Sequence, residues 1–202
     1  VEGALLLAEL YVRLDRAEDG FWDVAALLAQ RSTPRLRAIW AQLALATGRT
    51  TMVVEWLARE PMLEAGTASD LYFLAERRQA WDAAIAAGRR LTALEPGPVS
   101  AQRLAYALFQ NGEAEAALEA LRPVVPEYPE AEPLYADILG TLGRTDDLID
   151  LWTRQMNRPD LGDEAREALV YNLLQVGADE AAWNQLLALV ESRGGGWWYT
   201  AA

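Results

Sequence analysis

One helix-length pattern keeps restarting along this chain, and no other feature constrains the fold as tightly. From Gln79 the residues read QAWDAAIAAGRRLTALEPG, and from Gly112 they read GEAEAALEALRPVVPEYPE. In both, a turn leads into an alanine-rich helix that a proline closes. Ala84 and Ala117 lie 33 residues apart, as do Pro96 and Pro129. Gly112, Gly143 and Gly177 mark the same kind of turn at intervals of 31 and 34. A period in the thirties belongs to helical solenoids, in which each unit buries its apolar face on its neighbours.

Helical periodicity runs through the rest of the chain, and no stretch alternates as a half-buried strand would. Leu36, Ile39, Trp40 and Leu43 fall on one helix face, as do Leu169, Leu173 and Val176. Gly, Pro and short polar turns predict six helix pairs. They cover 1–14 with 21–31, 34–47 with 50–60, 67–77 with 80–94, 98–110 with 114–126, 131–142 with 145–157, and 163–176 with 179–193. The polar stretch Asp15 to Gly20 reads as the turn of the first pair. Pro34 suits a first helical turn, and Gly48, Gly112, Gly143 and Gly177 suit left-handed helix ends. Thr145, Asp163 and Ser69 are expected as N-caps. Asp146, Asp147, Asp179 and Glu180 then fall in first turns, where the helix dipole favours negative charge.

Composition narrows the function. The net charge is −12, and the chain contains no Cys and no His. Every basic residue is Arg. Residues 1–97 carry 11 Arg against 13 acids, whereas residues 98–202 carry 7 against 17. An acidic half argues against nucleic acid, whose phosphates need a basic stripe. No uninterrupted apolar run approaches the ~20 residues of a membrane helix. The missing residue types remove the common general bases and nucleophiles. The pairs Asp146/Asp150 and Glu130/Glu132, and the group Asp163/Glu164/Glu167, read as solvated helix ends, so no cofactor or metal is expected. Gly194-Gly195-Gly196 lacks the strand and the Lys-Ser/Thr of a phosphate loop. Most of the Trp residues at positions 22, 40, 56, 81, 152 and 183 read as packing residues.

The turns and small residues resemble the tetratricopeptide repeat (TPR) family. Gln79, Ala84 and Pro96 match its turn, small and proline positions, as do Gly112, Ala117 and Pro129, while Gly177 and Ala182 match the first two. Val53 in the second repeat, and Leu148 and Asp160 in the fifth, depart from the pattern. The resemblance is strongest over 66–130, moderate over 131–193 and weak over 1–61. It implies an all-α fold, a right-handed α-solenoid of antiparallel helix pairs in about six repeats. The expected domain is a single array over 1–202, with repeats at 1–32, 33–61, 62–97, 98–130, 131–162 and 163–196. Residues 197–202, with Trp197, Trp198 and Tyr199, would start a further repeat, so the chain reads as a segment of a longer array.

The resemblance also implies a concave face lined by the first helix of each pair. By register that face holds Phe73, Gln102, Tyr106, Phe109, Asp137, Glu167 and Tyr171, with Glu76 and Leu174 beside them and Arg35, Ala38 and Gln42 as equivalents in the second repeat. Tyr106, Phe109 and Tyr171 are the expected anchors; burial between repeats is the competing reading, most of all for Phe109. Without Lys, a carboxylate clamp is not expected, and the acidic lining suits a protein or peptide partner of basic character. The expected function is a non-catalytic protein–protein interaction scaffold in a bacterium. Resemblance to the TPR regions of Pel- and cellulose-type exopolysaccharide export proteins implies the periplasm; composition leaves cytoplasm and periplasm open. The alternatives are a TPR arm of a larger enzyme, such as a transferase, and a solenoid that self-associates through its C-terminal end.

Overall fold

In the computed structural model, residues 6, 7, 10, 11, 13, 14, 16–159 and 161–192 are described. Eleven α-helices follow one another among them, with no strand. They are α1 (Ala17–Gln30), α2 (Pro34–Ala46), α3 (Thr50–Arg59), α4 (Ala65–Arg77), α5 (Trp81–Leu94), α6 (Pro98–Gln110), α7 (Ala114–Leu121), α8 (Glu132–Thr141), α9 (Thr145–Met156), α10 (Asp163–Gln175) and α11 (Asp179–Ser192). The fold is all-α and built of helix pairs, as the repeat pattern requires. Trp197 to Tyr199 and the triglycine lie outside the described residues.

Five residues bend the chain between paired helices: Gly48, Gln79, Gly112, Gly143 and Gly177, all with positive φ. In each case the next residue's N–H reaches back five positions. Arg49 bonds the Ala44 carbonyl, Ala80 that of Ala75, Glu113 that of Leu108, Arg144 that of Leu139 and Ala178 that of Leu173, at 2.8 to 2.9 Å. This is the Schellman closure, which satisfies carbonyls that a helix end leaves open. It also fixes where the next helix starts, two residues after the bend. Thr145 is therefore the first helical residue and Arg144 the cap. Asp163 likewise lies inside α10, after Gly162. Ser69 is in mid-α4. None of the three caps as expected; at α2, Thr33 does, its Oγ1 accepting from the Leu36 N–H at 3.2 Å.

Two further expectations are corrected. The turn expected to run to Gly20 gives way to helix from Ala17, where α1 begins. Gly20 is buried inside that helix, where a Cβ would lie 2.5 Å from the Cβ of Tyr11. The helix expected over 114–126 stops at Leu121, and 3₁₀ turns at Val125–Glu127 and Pro129–Ala131 follow. Pro123 explains the stop: it offers no N–H to continue the helical ladder, although Arg122 before it still holds helical backbone.

The chain divides into two compact units, residues 1–134 and 135–202. In the first, α4 packs on α5, α5 on α6 and α6 on α7, while α3 also packs on α5 and α2 on α4. Contacts to the next helix and the next but one define a stack of pairs. The residue five after each bend is buried, as Val53, Ala84 and Ala117 here. In the second unit α10 packs on α9 and α11. Met156, Val170, Leu173 and Ala182 form its core, with Trp152 and Leu186 against them. Leu148 and Ala182 are its buried residues five after a bend.

Candidate docking surface

Counting back from each bend residue sorts the first helix of a pair into faces. Four residues back lie Ala44, Ala75, Leu108, Leu139 and Leu173, all buried. Six residues back lie Gln42, Phe73, Tyr106, Asp137 and Tyr171, none of them buried. Ten back, Ala38, Ser69, Gln102, Pro133 and Glu167 are also outside the core. Three back, Glu76, Phe109, Gly140 and Leu174 remain accessible, while Leu45 is buried. The rows at ten, six and three share one helix face, as spacings of four and three require. All seven residues expected to bind a partner fall on these rows.

In the first unit, α4 and α6 carry this face. Phe73 is 44% exposed. The Arg103 guanidinium stacks on its ring, 4.5 Å from the centroid, within cation–π range. Arg103 also donates to the Ser69 Oγ at 3.2 Å. Its backbone carbonyl accepts from the buried Tyr72 hydroxyl at 2.8 Å. Desolvation pushes the Tyr72 phenol well above its ordinary range, with the nearby Glu76 charge adding to it. Tyr106 is half-buried and meets Trp81 edge to face, with centroids 6.0 Å apart. Gln102 donates to the Glu130 carbonyl at 3.1 Å. Phe109 is half-buried.

Sequence reasoning missed Arg103. It sits one residue beyond Gln102, off the counted rows, and its long side chain swings across to α4. The lining of this unit is thus not purely acidic. A hollow of about 320 Å³ is lined by Pro34, Arg35, Ala38, Trp56, Glu60 and Met62, among others. It includes the predicted positions Arg35 and Ala38.

In the second unit, Tyr171 is 61% exposed on α10. Glu167, one turn earlier, and Leu174, one turn later, are exposed too. Asp137 is exposed on α8, its carbonyl accepting from Thr141 Oγ1 at 2.9 Å. A shallow apolar groove of about 440 Å³ runs beside Leu174, between Val170, Ala182, Trp183 and Leu186, with Asp179 and Glu180 at its edge. Trp183 and, in the first unit, Trp22 are mostly exposed, while Trp40, Trp56, Trp81 and Trp152 are partly buried, so most of the six pack as expected.

No protein-family model matches the chain, and no curated protein does. Among solved structures, a kinesin-light-chain protein of Podosopora anserina with nearly identical TPR-like repeats overlays with a TM-score of 0.40 at 14% identity, covering 100% of this chain and 96% of that one. At that similarity the match adds nothing to the helix-pair architecture already described. Among the described residues, no helix is long and apolar enough to cross a membrane.

Proposed function

We propose that the chain is a non-catalytic protein–protein interaction scaffold, docking partner segments on the faces of its first-of-pair helices. One observation carries the reading. The row six before each bend turns Phe73, Tyr106 and Tyr171 out of the core, while the row two residues later is buried throughout. Aromatics held on rigid helices offer large contact area at low entropic cost. Within each unit, stacked helix pairs present such rows on one side.

Charge supports a partner of partly basic character. The face of α10 places Glu164 and Glu167 along the same helix as Tyr171, in a chain of net charge −12. Opposite charge on a partner would raise its association rate more than its final affinity. A place in a bacterial envelope exopolysaccharide secretion complex is the narrower form of this reading. It draws on the resemblance to export scaffolds, not on any contact described above, and the flanking gene sequence tests it.

The direct test uses peptides selected from a random displayed library on the whole chain. Tyr106→Ala combined with Tyr171→Ala should weaken their binding at least about tenfold, with the helical circular dichroism unchanged. Equal affinity for parent and double variant removes the proposal.

A further inference from the structure

We propose that the Phe73–Arg103 contact is a docking point for an acidic side chain, Asp or Glu, flanked by an apolar residue on a protein partner. This assigns partner chemistry to the face of the first unit, and so rests on the docking function proposed above.

The geometry holds the cation in place without an ion pair to any carboxylate among the described residues. Arg103 is held from three sides: its guanidinium lies on the Phe73 ring, Ser69 Oγ accepts one of its N–H groups, and Tyr72 bonds its carbonyl. A guanidinium has five N–H donors, so most remain for a ligand. Among the described residues, five arginine–carboxylate ion pairs are found and Arg103 is in none of them. The charged residues on α4 are Asp70, Glu76 and Arg77, and neither acid pairs with it. Stacking on an aromatic face leaves the guanidinium edge open, the edge that binds a carboxylate in bidentate fashion.

Apolar surface lies on both helices beside this cation. Phe73 is one turn after Ser69 on α4, and the exposed Val99 is one turn before Arg103 on α6. An acid on the partner would meet the fork while its apolar neighbour covered Phe73 or Val99. In a chain of net charge −12, general repulsion disfavours an acidic partner overall, and a held guanidinium offsets it locally. The spot therefore supplies selectivity for where, and in what register, a segment docks.

The probe is a library of random peptides displayed with their C-termini fused, so that no free terminal carboxylate competes, selected against the whole chain. Selected sequences are expected to share an Asp or Glu next to an aromatic or aliphatic residue. Arg103→Gln should weaken them at least about tenfold, and Arg103→Lys, which keeps the charge but loses the fork, should fall between. Arg103→Glu should regain binding to peptides whose acid is replaced by Arg. Selected peptides without a shared acid, or with equal affinity for Arg103→Gln, overturn the inference. If those same peptides still lose affinity with Tyr106→Ala, the docking function stands and only the partner chemistry is wrong. If nothing is selected, both readings fall.

Discussion

Gln79 holds the same left-handed backbone as Gly112, the bend residue of the next pair, with φ of 55° against 83°. Both are followed by a residue whose N–H closes the turn at 2.9 Å. An L-residue with a Cβ is strained in that region by about 1–2 kcal/mol, and glycine is not. Gln79→Gly should therefore stabilise the chain by about 0.5–1 kcal/mol, the rest being offset by glycine's extra freedom when unfolded. Gly112→Ala should cost about 1 kcal/mol through the backbone alone, since nothing lies within 4 Å of the added Cβ. Urea unfolding of the two variants checks this, and a loss of stability in Gln79→Gly would remove the equivalence.

The Tyr72 hydroxyl bond to the Arg103 carbonyl gives a prediction at high pH. Burial raises the phenol's folded pKa above its unfolded value of about 10. Above pH 10 the unfolded state loses this proton first, so stability is fully present below that value and falls as pH rises towards the folded pKa. Tyr72→Phe should cost about 1 kcal/mol at neutral pH. It should also flatten the decline between pH 10 and 11.5, measured by urea midpoints. A decline of equal slope in both proteins would show that Tyr72 does not carry it.

Gln79 and Gly112 also show how much of the fold the sequence makes legible. The bends were readable because a left-handed helix end selects glycine, and Gln79 was found only because the period demanded a bend there. The exposed rows followed from counting along a helix whose ends were already fixed. The caps were not readable: Thr145 looks like a cap by residue type, but the closure at Gly143 starts α9 there, and Asp163 is already the first helical residue after Gly162. Arg103 was invisible for a different reason. Its role depends on which residue of α4 lies across from it, and helix-to-helix facing is set by packing rather than by local period. Gly20 misled because the same residue type serves a bend and a close contact, here against Tyr11.

The buried residue five after each bend is small at Ala84, Ala117 and Ala182 and larger at Val53 and Leu148. Ala84 and Ala117 are fully buried, while Leu148 occupies the same register in the second unit. Spacing at that point must differ between pairs. Ala117→Leu should overpack its pair and cost about 1–3 kcal/mol, whereas Leu148→Ala should leave a void and cost about 2–5 kcal/mol. Thermal unfolding of the two variants reads both. An unchanged melting temperature for Ala117→Leu would count against the register.

Arg37 and Glu60 form the ion pair most withdrawn from water among the described residues. Arg37 Nε lies 2.8 Å from Glu60 Oε2, with side-chain exposures of 26% and 7%. Its Nη2 donates to Oε1 at 3.0 Å, and the Met62 N–H reaches the same oxygen at 3.3 Å. Arg90 donates to the Glu60 backbone carbonyl at 2.7 Å, which ties α5 to the end of α3. The two partners are not equivalent. Removing Glu60 leaves a guanidinium that can still turn to water. Removing Arg37 strands a carboxylate in a site that is almost dry, and an unmatched buried charge costs more than a lost pair. Arg37→Met should therefore cost about 2–3 kcal/mol and Glu60→Met about 1 kcal/mol. The double variant should be more stable than Arg37→Met alone, because it removes the stranded charge. Urea unfolding at neutral pH measures all three. Equal losses for the two single variants would mean that Glu60 finds water or another partner once Arg37 is gone.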